Sequence, residues 1–427
     1  MSVDFYKEFG ELGYLANYSN HGFTVDGVFY PTVEHYYQAS KFNDPEIIHQ
    51  ILKCKTPKEA SVIGRSRKNP RIPNFREIKN QKMEEGIYHK FSQNKDIRSK
   101  LLETRNQEIR EMSVKESYWG VGPNLDGENV VGKILMRVRD RIREELKKEI
   151  IEKCKGEKVY VIGHARADAD SVFSALILTR ILKYFGVDAI FAVRDQDFVD
   201  GRLVEEYLKD SYEVISNYQD KKFVLVDHNS LDGIPKENVL GAFDHHRITG
   251  EVEDFIEAEY ASSGLLFYDL FRGDYEFSDE DKKLIALTVL ADTEYLTSSR
   301  FSEEDQSLYE ELGVEIDVEE ARKKYLKTTI FHLDIRTNLF EDYKEYDYEK
   351  FKIKRSMIRS YRTDRERHYQ EYVNSMKDNS INLLIWCDYE ELATYVCFQD
   401  VSMKFPYFTT STNLVLDYLK QKKYLKK

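Results

Sequence analysis

Residues 158–171 read KVYVIGHARADADS. An apolar, β-branched run closes on Gly163, and His164, Asp168 and Asp170 follow it within a few positions. Such a run, bounded by a turn, reads as a buried strand; DSVFSALILTRILKYFG (residues 170–186) then reads as a helix that stops at Gly186. The same grammar recurs downstream. DAIFAV (188–193), KFVLVD (222–227) and LGAFD (240–244) read as strands, with a helical patch near 202–208. Strands alternating with helices predict a parallel sheet covered on both faces. In such sheets chemistry gathers at the carboxyl ends of the strands.

Four clusters of acid and histidine close apolar runs in this region: GHARADAD (163–170), LVDHN (225–229), FDHHR (243–247) and LADTEYL (290–296). One such residue alone is more often a turn or helix-capping group. Four clusters in succession point instead to a ligand set. Carboxylate and neutral imidazole together suit divalent transition ions. A carboxylate at a strand tip can bridge two ions about 3.5–4 Å apart, an arrangement that activates water and stabilises in-line displacement at phosphorus.

GHARADADS, LVDHN, DHHR and ADT follow, in order, the motifs of the DHH phosphoesterase superfamily, which residues 158–305 resemble. VDHN and DHHRI are most similar to the family II, manganese-dependent inorganic pyrophosphatases. The resemblance implies that His164 and Asp168 bind one ion, that Asp170, His245 and Asp292 bind the other, and that Asp227 bridges them. His246 would contact phosphate and assist proton transfer. Two divalent ions are expected, Mn2+ first, with Co2+ or Mg2+ as alternatives.

From about residue 306 the pattern is helical and then strand-like, in KFKIKRSMIRSY (350–361), INLLIWCDY (381–389) and ELATYVCFQD (391–400). This predicts a smaller α+β domain, which resembles the DHHA2 domain that closes over substrate in that family. EDYKEYDYEKFKI looks like its DxK stretch and makes Lys344 a candidate phosphate contact; a solvated surface lysine is the alternative. The SRK substrate motif is replaced by VSMKFP (401–406), with Ser402 and Lys404 but Met403 where arginine is expected. A guanidinium fork holds phosphate in a way no thioether can. A larger phosphoanhydride or a phosphodiester therefore stands beside pyrophosphate as substrate.

The N-terminal third is written differently. In TVEHYYQASKF (32–42), Glu34, Gln38 and Lys41 fall at steps of four and three and share one helical face. They form either a ribose or nucleobase site or an ordinary side-chain ladder. WGVGPNLDGENVVG (119–132) carries four glycines beside Trp119, a stacking platform or a core residue. Residues 65–82 hold seven basic side chains and one acidic, either a nucleic-acid track or a solvated face. EHYYQASKF, KFSQN, WGVG and GENVVGKILMRVR, taken in order over residues 10–146, resemble the NADAR (YbiA-like) family. Members are N-glycosidases acting on ribosylated pyrimidines of riboflavin synthesis or on ADP-ribosylated guanine in DNA. The resemblance implies a pocket lined by Glu34, Lys41, Trp119, Asn129 and Arg139, with Gln38 on the same face as Glu34. Glu34 would act as acid/base or oxocarbenium stabiliser, and Lys41 as nucleophile or phosphate contact. One departure is Glu116, where the family has aspartate.

Residues 131–155 place Ile134, Leu135, Val138, Ile142, Leu146 and Ile150 on one face of a helix that Gly156 can stop, a seam between domains. The chain of 427 residues has a net charge of −12, yet residues 1–148 hold 26 Lys and Arg against 21 Asp and Glu. A mildly basic part suits a phosphate-bearing ligand. No run of apolar residues is long enough for a membrane span, no signal peptide is evident, and the four cysteines form no metal spacing, so a cytoplasmic protein is expected. The expected fold is multidomain: a mainly α NADAR-like domain at 1–148, an α/β parallel-sheet DHH domain at 157–305 and a smaller α+β DHHA2-like domain at 315–427. The expected function is a bifunctional hydrolase: an N-glycosidase acting on an ADP-ribosyl or ribosyl-phosphate conjugate, joined to a two-metal phosphoesterase. The alternative is an inorganic pyrophosphatase with an accessory ADP-ribose- or nucleotide-binding module. Expected partners are a phosphate-containing small molecule or ADP-ribose, with DNA as a further candidate at the N-terminal domain.

Overall fold

A computed structural model describes residues 2–246, 251–252, 255–257, 259–298, 301–325, 343–348, 351–360, 369–376, 381–388, 393–398, 401–405 and 412–422. The chain opens with strand β1 (Ser2–Phe5), the hairpin β2 (Phe23–Val25) and β3 (Val28–Tyr30), and helices α1 (Val33–Ala39), α2 (Pro45–Leu52), α3 (Pro57–Arg65), α4 (Phe75–Gln93) and α5 (Lys95–Leu102). Strand β4 (Glu108–Glu111) and the long helix α6 (Val130–Cys154) follow. Then come β5 (Lys158–Ile162), α7 (Ala169–Tyr184), β6 (Asp188–Val193), α8 (Gly201–Tyr207), β7 (Glu213–Val214), β8 (Lys222–Val226), β9 (Val239–Asp244) and β10 (Phe255–Glu257). The remainder is α9 (Ser263–Phe271), α10 (Asp279–Asp292), α11 (Glu303–Glu311), α12 (Val318–Tyr325), β11 (Tyr343–Tyr348), β12 (Phe351–Ser360), helix α13 (369–376), β13 (Leu383–Asp388), β14 (Ala393–Phe398), β15 (Val401–Lys404) and α14 (Thr412–Gln421). The chain divides into two compact units: Met1–Tyr160 with Phe185–Asp188 and Tyr218–Glu259, and Val161–Tyr184 with Ala189–Asn217 and Tyr260–Lys427.

In the first unit the helices start where side chains can accept the free amides of a first turn. Thr32 accepts from His35 N at the head of α1, Asp44 precedes Pro45 at α2, and Thr56 and Glu59 form a reciprocal capping box at α3. All seven residues of α1 are buried. Strands β1 and β4 pair in parallel, with Arg110 gripping Asp4 through two bonds of 2.8 and 2.6 Å. The six apolar positions expected on one face of α6 are all buried, and the helix ends at Cys154, just before Gly156. Its last turns pack on β9 and β10 of the same unit. Gly241 of β9 faces Ile150 so closely that a Cβ there would lie 2.9 Å from Ile150 Cγ1. Strands β8, β9 and β10 pair in parallel, as a strand–helix alternation requires.

Lys90 of α4 is fully buried, and its ammonium donates to the carbonyls of Tyr14 and Ala16. The carbonyl of the next residue, Asn17, accepts from Glu34 N at 3.1 Å, so this clamp fixes the turn that seats the start of α1. Burial pushes the Lys90 amine down to about 7. Between pH 7 and the ordinary lysine range the unfolded chain therefore binds more protons than the folded one, and stability rises with pH. Urea unfolding should show the wild type gaining about 2 kcal/mol from pH 7 to 9 relative to Lys90→Met.

In the second unit α7 is buried along most of its length and packs with α9 and α10. Capping boxes start α10 (Ser278, Asp281) and α11 (Ser302, Asp305). Strands β6 and β7 pair in parallel. The C-terminal sheet has the order β11-β12-β13-β14-β15, with only β12 and β13 parallel. Alternate residues of β13 serve two cores. Leu383, Ile385 and Cys387 meet Val415, Leu416 and Leu419 of α14, whereas Leu384 and Trp386 meet Tyr372, Val373 and Met376 of α13. The architecture is thus multidomain, with a mainly α N-terminal part, parallel α/β pairing in the middle and a mixed α+β C-terminal part. The two short strands β7 and β10 are not legible in the sequence, because two or three residues carry no alternation.

Candidate functional site

In the first unit, α1 and Lys41 just past its C-cap carry a continuous polar relay. Lys41 Nζ donates to Gln38 Oε1 at 2.5 Å, and Gln38 Nε2 donates to Glu34 Oε1 at 2.7 Å. The carboxylate needs a donor and the ammonium an acceptor, so one orientation of the Gln38 amide satisfies both. Helical spacing puts the three on one face, and all three are buried. Gly64 of α3 makes the room, since a Cβ there would sit 1.9 Å from Gln38 Oε1. Burial raises the Glu34 carboxyl, against hydrogen bonds from Gln38 and Ser61 and the charges of Lys41 and Arg65. Burial, with the Arg71 and Arg65 charges, pushes Lys41 down to about 8. The Lys41 ammonium lies 4.9 Å from the Tyr37 ring centre.

Trp119 is partly buried and meets Tyr37 edge to face at 5.7 Å. Lys79 lies over the neighbouring Tyr118 ring at 3.4 Å and near Trp119 at 5.6 Å. Asn129 and Arg139 are engaged with backbone. Asn129 accepts from Glu111 N at 3.0 Å and donates to Ile109 O at 2.8 Å, bracing β4. Arg139 Nη1 donates to Thr104 Oγ1 and Gln107 O, both at 3.0 Å, holding the turn before β4. Glu111, which no sequence motif singled out, is the last residue of β4 and is pushed up to about 7 by burial and by the Glu116 and Glu34 carboxylates.

The same unit carries the DHHR cluster. Asp227, His245 and His246 offer ligand atoms that all lie within 4.8 Å of one another. Asp227 follows β8 in the left-handed region, at φ 62, and its amide donates to Phe243 O on β9. His245 Nε2 lies 3.2 Å from Asp227 Oδ1. Asp244 is fully buried and accepts from His246 Nδ1 at 2.8 Å, from His246 N at 3.0 Å and from Asn229 Nδ2 at 2.6 Å. Burial works to raise the Asp244 carboxyl, but the His246 bonds and charge hold it below its usual range; its hydrogen bond in turn raises His246. Asp244 therefore fixes the ring orientation of His246, a role its place beside the histidines left unassigned. Asp244→Asn should lower metal-dependent activity about 10–100-fold while leaving Tm near wild type, the usual cost of losing such an orienting carboxylate.

In the second unit the GHARADAD loop leads into α7. Asp168 does two things: Oδ1 accepts from Ser171 N at 3.0 Å as a helix cap, and Oδ2 faces His164 Nε2 at 3.6 Å. One carboxylate therefore caps the helix and still turns its second oxygen toward His164. Asp170 is fully buried and accepts from Ser174 Oγ (2.7 Å), Ser263 N (2.7 Å) and Gly264 N (3.1 Å). The last two amides are the N-terminus of α9, a favourable place for negative charge. Asp292 is the last residue of α10 and is partly buried. Carboxylate oxygens and imidazole nitrogens of this kind fit a divalent cation.

In the C-terminal sheet Ser402 and Lys404 are exposed on β15, with the Lys404 ammonium 5.5 Å from the Tyr395 ring centre. Met403, between them, packs against the core that holds Phe405 and Leu416. Lys344 lies on β11, and its side chain falls outside the described residues.

Comparison with known proteins separates the two halves. The NADAR domain family matches residues 4–143, and the DHH family, N-terminal domain, matches residues 158–293. The N-glycosidase Npun_R5314 of Nostoc punctiforme is 40% identical over 149 residues, which are 34% of this chain and 96% of that one. N-glycosidase YbiA of Escherichia coli is 33% identical over 143 residues, 34% of this chain and 89% of that one. Among solved structures, a putative family II inorganic pyrophosphatase of Methanococcus jannaschii is 18% identical, with a TM-score of 0.44, covering 62% of this chain and 98% of its own. Both halves fall in hydrolase families. The chain belongs to the NADAR family of YbiA-like N-glycosidases through its N-terminal third, and this part is fused to a DHH domain. No helix among the described residues is long and apolar enough to cross a membrane.

Proposed function

We propose that the chain is a bifunctional hydrolase with three functional domains at 1–148, 157–305 and 315–427. The first cleaves an N-glycosidic bond in a ribosyl-phosphate or ADP-ribosyl conjugate, and ADP-ribosylated guanine in DNA is one candidate. The observation that carries this reading is the buried Lys41–Gln38–Glu34 relay in an N-terminal part that is 40% identical over 149 residues to an N-glycosidase. Cleavage builds positive charge on the sugar, and the Glu34 carboxylate stabilises it. Lys41 serves as a cation that keeps Glu34 ionised and can meet a phosphate. Trp119 supplies an aromatic face, while Asn129 and Arg139 hold the walls from behind.

The second activity is hydrolysis of a phosphoester or phosphoanhydride. His164 and Asp168, and Asp170, His245 and Asp292, would hold two divalent ions with Asp227 shared, Mn2+ being the first candidate. Bound there, the ions would supply a water of lowered pKa and charge for the phosphoryl oxygens. His246, oriented by Asp244, would meet the phosphate and move a proton. Lys344 and Lys404 are the proposed phosphate contacts of the C-terminal domain. Met403, partly buried against the core, favours a substrate other than pyrophosphate, since a guanidinium at that place would lose part of its hydration and the thioether there offers no fork for phosphate. The four cysteines are free thiols, consistent with a reducing, cytoplasmic setting. A product screen tests both halves: ADP-ribosylated oligonucleotide, a ribosylaminopyrimidine 5′-phosphate, free ADP-ribose and pyrophosphate, each with and without Mn2+. Base release and Mn2+-dependent phosphate chemistry are expected. Release of phosphate from pyrophosphate alone, with no base release, would favour a pyrophosphatase carrying a nucleotide-binding module.

A further inference from the structure

Glu111 stands beside the α1 relay without belonging to it. Its main chain is fixed on both sides: its amide donates to Asn129 Oδ1 at 3.0 Å, and its carbonyl accepts from Ser113 N at 2.8 Å and Val121 N at 2.9 Å. The second bond pins the end of β4 against the loop that carries Trp119, whose ring meets Tyr37, one turn along α1 from Glu34. The Glu34 carboxylate on α1 lies within electrostatic reach of Glu111 on β4. Their surroundings are opposite. Glu34 accepts from Gln38 and Ser61 and lies near the Lys41 and Arg65 charges. Glu111 Oε2 is buried and has no hydrogen-bond partner among the described residues. The charged groups acting on Glu111 are carboxylates, Glu116 from the loop after β4 and Glu34 from α1. An ionised oxygen buried without a donor is costly, so of the two carboxyls Glu111, which lacks a donor, is the better holder of a proton and Glu34, which has donors, the better carboxylate. Partial exposure of the residue leaves a path for resupply from water.

We infer that Glu111 is the general acid of the N-glycosidase reaction, giving its proton to the base nitrogen as that nitrogen leaves. The inference rests on the N-glycosidase reading above. As the C1′–N bond breaks, its electron pair goes to nitrogen, which takes the Glu111 proton. Water adds to C1′ and passes a proton to Glu34. One water is consumed, the sugar gains OH, the base gains H, and solvent returns the proton from Glu34 to Glu111. Two carboxyl groups held in opposite protonation states are what glycosidic cleavage uses.

The test is Glu111→Gln in the full chain, with a ribosylaminopyrimidine 5′-phosphate and an ADP-ribosylated guanine oligonucleotide as probes, and Glu111→Asp as the conservative variant. The expected result is a kcat about 10²–10⁴-fold lower with KM within a few-fold. The alkaline limb of kcat/KM, near pH 7 in the wild type, should move up toward the Lys41 value of about 8. Glu111→Asp should recover part of kcat and restore the lower limb. Activity within threefold of wild type, a rise in KM alone, or an unmoved alkaline limb would overturn the assignment. A wild type inactive on both probes would remove the N-glycosidase reading, and this inference with it. A wild type that is active with an unaffected variant removes the inference alone.

Discussion

Asp227→Asn should reduce Mn2+-dependent phosphate release about 10³-fold, equivalent to about 4 kcal/mol in the barrier. In the proposed ligand set Asp227 takes the shared position, where its negative charge would serve both ions. Asparagine is the informative replacement. Residue 227 sits at φ 62, in the left-handed region, where asparagine is tolerated and alanine adds strain of about 1–2 kcal/mol. The Asp227 amide bond to Phe243 O survives the substitution, so the fold around β8 and β9 should persist. Metal analysis and phosphate release with wild type and variant check the result. A variant that keeps its bound Mn2+ and its rate would remove Asp227 from the metal site. Base release by the N-terminal domain should be unchanged, because the Lys41–Gln38–Glu34 relay is built on α1, a different element from the β8 end that carries Asp227.

Glu34→Gln should produce the complementary loss, about 10²–10⁴-fold in base release, with Mn2+-dependent chemistry intact. The amide keeps the volume of the carboxylate but carries no charge to stabilise the sugar cation. It also lacks a second lone-pair-bearing oxygen, so one donor among Gln38 and Ser61 must find another acceptor. Because Glu34 is buried, the thermal midpoint should hold or rise as a desolvated charge is removed. Measuring base release and Tm on the same preparation separates a chemical loss from a structural one. If Glu34→Gln and Asp227→Asn each silence both activities, the two halves act as one catalytic unit rather than as two.

Much of the frame is readable along the chain. The passage from KVYVI through GHARADAD into a helix is local: an apolar run, a glycine, and then a stretch whose apolar spacing fits only a helix. The six apolar positions of α6 and the shared face of Glu34, Gln38 and Lys41 follow in the same way from a period of 3.6. The order of the acid and histidine clusters is likewise a property of the sequence. What local spacing cannot carry is the partner each polar group takes at long range. Asp170 is held by the amides of Ser263 and Gly264, more than ninety positions away. Asn129 and Arg139, read from motif as pocket residues, use their donors on β4 and the turn before it. Met403 turns into a core assembled with α14, which the string VSMKFP gives no means to foresee.

The sequence by itself determined which residue types stand at the ends of which elements, because periodicity and capping act over a few residues. The tertiary structure decided their electrical state. Asp244 is held below the usual carboxylate range because two bonds from His246 outweigh its burial, and Glu111 is pushed up to about 7 because burial left one of its oxygens without a donor. Those shifts in proton affinity depend on desolvation and on partners brought in from elsewhere in the chain, and neither exists until the chain has packed.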